Sequence, residues 1–170
     1  MSLTFLLGGA RSGKSALALR LARDERAPVT VIATAEAGDD EMRERIRLHR
    51  AERSGTWTTV EEPLALGTAL ASVDSGGVVI VDCLSLWVAN LVERGDGDAE
   101  VEEQSRAAVA RVAERSGTTI AVSNEVGLGV VPATPLGRRY RDLLGRINVQ
   151  WAHAADQALL VVAGRALPLQ

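Results

Sequence analysis

The chemistry-bearing residues begin close to the start of the chain. Gly8, Gly9, Ala10, Arg11, Ser12, Gly13, Lys14 and Ser15 fit the spacing G-x-x-x-x-G-K-[ST]. In such a loop the glycines let the backbone curl so that successive N–H groups converge on phosphate oxygens. The following helix adds its positive end, the lysine bridges the outer phosphates, and the Ser15 hydroxyl ligates Mg²⁺. Composition isolates the lysine. Of the 19 basic residues, 18 are arginine and Lys14 is the only lysine. A chain so biased towards arginine keeps its one lysine where a broad guanidinium would not replace a compact ammonium.

Val78-Val79-Ile80-Val81-Asp82 supplies a second candidate. A carboxylate at the end of a buried strand holds a magnesium ion or its water shell, or it caps the next helix. Asp82 fits both readings.

The third is the charged segment Asp39–Arg53, acidic at its start and basic at its end as a helix dipole favours. Glu41 and Arg45 stand four apart and can pair. Arg43, Arg47 and Arg50 fall on one stripe, as in a phosphate clamp, whereas Met42, Ile46, His49 and Arg53 fall on another. Spacing alone leaves His49 either a packed structural residue or a nucleophile. His153, in an alanine-rich helix end, reads as structural or C-terminal capping. Asn124–Pro132, with two glycines and a proline, is either a substrate wall or an ordinary connection.

These residues need a scaffold, and the apolar pattern predicts one. Strands are expected at 3–7, 29–33, 56–60, 78–81, 118–123 and 158–163. Helices are expected at 14–26, 39–53, 63–73 (with Pro63 in the first turn), 85–91, 99–115 and 136–155, and a polar, mobile loop at 93–98. Strands apolar throughout and alternating with helices predict an α/β fold, a mostly parallel sheet with helices on both faces. A length of 170 residues suits one domain over 1–170.

Composition excludes several classes. A net charge of −3 argues against bulk attraction to nucleic acid or anionic membrane. Cys83 is the only cysteine, so no intramolecular disulfide forms. No apolar run approaches the roughly 20 residues that span a bilayer, and no signal peptide is apparent, so a cytoplasmic location is expected.

On GGARSGKS (8–15), IAT (32–34), DDEMRERIRLHR (39–50), W-x-T-x-E (57–61), NEVGLGVVP (124–132) and RDLLGRINVQWAHAAD (141–156), the chain resembles a family of cobalamin biosynthesis. It is the bifunctional adenosylcobinamide kinase / adenosylcobinamide-phosphate guanylyltransferase family. The first motif is widespread, while the histidine helix and the NEVG segment are more particular. The resemblance implies a P-loop NTPase (RecA-like) fold, Mg²⁺ dependence and a homotrimer. It implies two reactions: ATP or GTP phosphorylates adenosylcobinamide, and GTP then gives its guanylyl group, through a histidine intermediate, to adenosylcobinamide phosphate. Carried over by motif, the intermediate falls on His49, with Lys14 in the catalytic loop. Nucleotide contacts fall on residues 8–15, on Thr34, Ala35 and Glu36, on Arg50, Ala51, Glu52 and Arg53, and on Glu61 and Glu62. Metal ligation falls on Ser15 and Asp82. Some members carry two adjacent histidines, and here the first of those positions is Leu48. A kinase alone, with His49 structural, is the second reading.

Overall fold

The computed structural model describes residues 2–51 and 53–170. Glu52, assigned to the nucleotide, lies outside the described residues, as does the Arg45 side chain expected to pair with Glu41. In chain order the elements are β1 (Ser2–Gly8), α1 (Lys14–Asp24), β2 (Val29–Ala33), α2 (Asp40–Ala51), β3 (Thr58–Glu61), α3 (Leu66–Ser72) and β4 (Val78–Asp82). Then follow α4 (Leu84–Arg94), α5 (Asp98–Ala113), β5 (Thr118–Asn124), α6 (Pro135–Ala154), β6 (Gln157–Val162) and β7 (Arg165–Leu169).

The seven strands form one sheet in the order β3-β2-β4-β5-β1-β6-β7. All pairings are parallel except β6 with β7. The unbroken apolar run of β4 is explained by burial from both sides, since Val78, Val79, Ile80 and Val81 are each at most 2% exposed. The two faces are covered unequally. Helices α3, α4, α5 and α6 bring Leu70, Trp87, Val101 and Trp151 against one face, whereas α1 covers the other with Leu17, Ala18 and Ala22. Among the described residues no helix is long and apolar enough to cross a membrane.

Four expectations are corrected. β7 was not foreseen; it follows a two-residue turn in which Ala163 and Gly164 both have positive φ, a hairpin geometry matched to strand twist. Ala163 therefore ends the strand rather than belonging to it. Pro63 stands outside α3, and the N–H groups of Leu64 and Ala65 bond the Glu62 carboxylate just before that helix starts. Helix α4 runs on to Arg94 because Leu91 and Val92 are buried, and it stops at Gly95 in the left-handed region. The segment expected to be mobile is pinned: Asp96 is buried and held by Arg94, Gln104 and Arg139.

Candidate active site

In a parallel sheet the strands end together, and the crevice beyond their carboxyl ends is where loops converge. Here that edge carries Gly8 from β1, Ala33 from β2, Asp82 from β4 and Asn124 from β5. The loop 8–15 leaves β1 and enters α1 through Gly13, whose φ of 101° suits glycine, with Arg11 also left-handed at φ 55°. A side chain at Gly8 would strike the Val161 carbonyl and the Ser12 hydroxyl. The β6–β7 turn braces the loop, because the Gly164 N–H donates to the Ser12 carbonyl at 2.8 Å.

Lys14 is 7% exposed and its Nζ donates to the Gly9 carbonyl at 2.7 Å. Burial pushes its ammonium below the ordinary lysine range, against the opposing pull of negative charge at Cys83 and Asp82. Ser12 Oγ is buried without a hydrogen-bond partner among the described residues. An orphaned hydroxyl inside a curled, N–H-rich loop is what a phosphate oxygen would satisfy.

Asp82 stands between this loop and α2. Its Oδ2 lies 3.7 Å from Arg53 Nη2 and 4.0 Å from His49 Nδ1. Asp82, Ser15, His49 and Arg53 line one small cleft together, with Ala18 and Val122 among its walls. Beyond it opens a cavity of about 430 Å³, walled by Met42, Ile46 and His49 from α2 and by Ala33, Cys83 and Leu86 opposite. The apolar stripe of the charged helix is thus the cavity wall, and His49 joins the two spaces.

The arginine stripe is engaged as well as cavity-facing. Arg43 pairs with Asp40, Arg47 with Glu44 at 2.7 Å, and Arg50 with Glu61. Arg53 lies past the end of α2 and is nearly buried, so desolvation lowers its pKa while Asp82 opposes the shift.

The remaining predicted contacts divide by placement. Thr34 is fully buried, and its hydroxyl donates to the Cys83 carbonyl at 2.7 Å while accepting from the Cys83 N–H at 2.9 Å. It therefore ties β2 to the turn after β4. Ala35 lines the cavity, Glu36 is exposed on the loop after β2, and Ala51 is exposed outside the cavity lining. Glu61 lines the cavity, whereas Glu62 accepts the Leu64 and Ala65 N–H groups just before α3. His153 sits exposed in the last turn of α6, remote from the other side chains of the site in the fold.

Two contributors were missed by the sequence reading. Cys83 lines the cavity, its thiol pushed up by burial and its Sγ 3.0 Å from Ser85 Oγ. Asn90 donates to the carbonyls of Thr34 at 2.8 Å and Pro63 at 3.1 Å, fixing the cavity rim from inside α4. A lone amide in the apolar run LSLWVANLV was the available signal.

For a divalent cation, Ser15 and Asp82 offer hydroxyl and carboxylate oxygens in the same cleft, a donor set suited to Mg²⁺. Among the described residues no group of three His, Cys, Asp or Glu side chains is placed to hold a metal alone. That fits a cation completed by phosphates rather than by a protein cage.

Comparison with known proteins adds to this geometry. Residues 4–169 match the family described as cobinamide kinase / cobinamide phosphate guanyltransferase. The bifunctional adenosylcobalamin biosynthesis protein CobP of Pseudomonas aeruginosa is 46% identical, with 97% of this chain and 95% of that protein covered. The bifunctional adenosylcobalamin biosynthesis protein CobU of Escherichia coli is 37% identical, covering 92% and 93% respectively. Among solved structures, a KaiC-like protein of Pyrococcus horikoshii has a TM-score of 0.51 at 13% identity, covering 94% of this chain and 70% of that one. The RadB recombinase has a TM-score of 0.53 at 16% identity, covering 94% and 73%. These two likenesses establish the RecA-like P-loop fold.

Proposed function

Because the chain belongs to the cobinamide kinase / cobinamide phosphate guanyltransferase family, we propose that it phosphorylates adenosylcobinamide with ATP or GTP and then guanylylates the product from GTP. The observation that carries this reading is the single cleft in which Ser15 of the phosphate loop, Asp82 and His49 meet. It places an imidazole beside the loop that would seat a triphosphate.

In the first reaction the acceptor hydroxyl attacks the γ-phosphorus, the bond to the β-phosphate oxygen breaks, and the nucleoside diphosphate leaves. The loop 8–15 would cradle the phosphates through backbone N–H groups, with Lys14 across the outer ones. In the second, an imidazole nitrogen of His49 attacks the α-phosphorus of GTP and pyrophosphate leaves. A phosphate oxygen of adenosylcobinamide phosphate then attacks the same phosphorus, breaking the N–P bond and restoring the imidazole. His49 Nδ1 faces Asp82, which leaves Nε2 as the attacking atom. Arg53 beside Asp82 and Arg50 beside Glu61 would offset charge on the transferring group. Ser15 and Asp82 would hold Mg²⁺, which neutralises phosphate charge when bound. Thr34, Ala35, Glu36, Ala51, Glu61 and Glu62 remain candidate nucleotide contacts, with Thr34 and Glu62 acting through the backbone they fix. One seven-stranded sheet joins the elements that bear these residues, in keeping with a single catalytic domain over 1–170, and sedimentation would test its assembly as a homotrimer.

Incubation with GTP labelled at the α-phosphate, without corrinoid, tests the covalent step. Label should stay on the denatured protein as a phosphoramidate, labile in acid and stable in base. Unlabelled protein that still phosphorylates adenosylcobinamide would reduce the function to the kinase alone.

A further inference from the structure

The NEVG segment has no role in the chemistry above, yet it begins at the sheet edge beside the phosphate loop. β5 lies between β4 and β1, pairing Asn124 with Gly8 and Val122 with Asp82. The next residue, Glu125, donates its N–H to the Gly8 carbonyl at 3.1 Å, so it is fixed at the mouth of the loop. Its half-buried carboxylate is oriented by one oxygen: Oε1 accepts the Gly127 N–H at 2.5 Å. Among the described residues no cation pairs with Glu125, and Oε2 keeps its lone pairs.

The other carboxylates at this edge are committed or distant. Asp82 faces Arg53 and His49, Glu61 pairs with Arg50, and Glu62 accepts the Leu64 and Ala65 N–H groups. Glu36 follows β2, three strand spacings from β1, or roughly 14 Å at the usual interstrand distance. Glu125 is one spacing away. It also stands three residues further out along β5 than the partner of Asp82, roughly 10 Å along the strand. In-line attack brings an acceptor to the γ-phosphorus on the face opposite its leaving group, and a base standing beyond the phosphate loop, as Glu125 does, would meet its hydroxyl there. The same loop continues through Leu128 and Val130, which are 85% and 95% exposed, so an apolar surface adjoins the carboxylate.

We propose that Glu125 is the general base of the phosphorylation step, taking the proton of the acceptor hydroxyl on Oε2. This rests on the kinase reading above. As the hydroxyl oxygen bonds to the γ-phosphorus, its proton passes to Oε2, and the electron pair of the breaking P–O bond leaves with the nucleoside diphosphate.

Steady-state phosphorylation of adenosylcobinamide by the full chain tests this with two variants. Glu125→Gln retains an oxygen for the Gly127 N–H but loses the basic one. Its kcat should fall about 10²- to 10⁴-fold, the usual contribution of general base catalysis, with the nucleotide KM within about twofold. Glu125→Asp keeps a carboxylate and should recover part of the lost kcat. A residue that only shaped the loop would give the reverse order, with glutamine harmless. Wild-type turnover by Glu125→Gln, or an aspartate variant no better than the glutamine one, overturns the assignment. A wild-type protein that leaves adenosylcobinamide unphosphorylated overturns the kinase reading itself, and the base with it.

Discussion

Lys14 is 7% exposed, in a loop anchored by β1, by the start of α1 and by the turn after β6. His49, which shares a cleft with the neighbouring Ser15, has a side chain 41% exposed on a helix none of whose described side chains is buried. The loop is shaped by backbone geometry and close packing. The helix is held by short-range ion pairs such as Arg47–Glu44 and by a few contacts across the cavity. Exposed pairs of that kind contribute little each. A loop shaped to present converging N–H groups tolerates no slack, whereas the nucleophile proposed on α2 would gain from a weakly packed support as it reached first an α-phosphate and then a second substrate.

If that contrast is right, damage to the loop is general and damage to the helix is selective. Lys14→Ala should lower both reactions by about 10³-fold, the scale of removing a key electrostatic contact, and Lys14→Arg should be nearly as harmful. Initial rates of both half-reactions, with a thermal melt to check the fold, would decide it. Full activity in either variant would remove the loop from the chemistry. His49→Asn should abolish α-label incorporation and formation of adenosylcobinamide-GDP while leaving phosphorylation within several-fold of wild type, because γ-phosphoryl transfer needs no protein nucleophile. Loss of both reactions would mean that His49 organises a shared nucleotide site, and the selectivity would vanish.

Asp82 stands between the two regions, so its variant should touch both moderately. Asp82→Asn keeps the shape without the charge and should raise the magnesium requirement of each reaction about tenfold, the cost of one weakened ligand contact. An unchanged magnesium titration would leave Asp82 only as the charged partner of Arg53 and His49, since α4 has no side-chain cap. The smallest effect belongs to Leu48→Ala on the outer side of α2, where Leu48 is 49% exposed. Urea unfolding should shift by under about 0.5 kcal/mol, as for surface sites generally. A loss near ~2 kcal/mol, the scale of a truncated core side chain, would show α2 to be packed as firmly as the loop.

The same contrast explains what could be read in advance. The loop's role is written in consecutive residues, and the alternation of apolar strands with helices carried the α/β architecture. The stripe of Met42, Ile46 and His49 was visible from helical spacing because it spans only a few turns. What escaped depends on distant partners. β7 has no buried residue, so no alternation marks it, and only its pairing with β6 makes it a strand. Asp96 looked like loop polarity because the arginine that helps bury it, Arg139, comes 43 residues later. Thr34 and Glu62 entered as nucleotide contacts through the family resemblance, and their bonds to Cys83 and to the N–H groups before α3 add a framework role that no local spacing announces.

The position of β1 has a consequence for how the chain is made. It pairs on one side with residues 118–124 and on the other with residues 157–161. As the chain leaves the ribosome, the phosphate loop emerges before its partners and finds no neighbouring strand until more than a hundred further residues have been translated. The turn that braces it, at Gly164, emerges later still. Such pairing distant in sequence is slow to form and leaves apolar strands uncovered meanwhile. The loop precedes in the chain nearly every strand it leans on, and it is therefore among the last parts of the sheet edge to take shape.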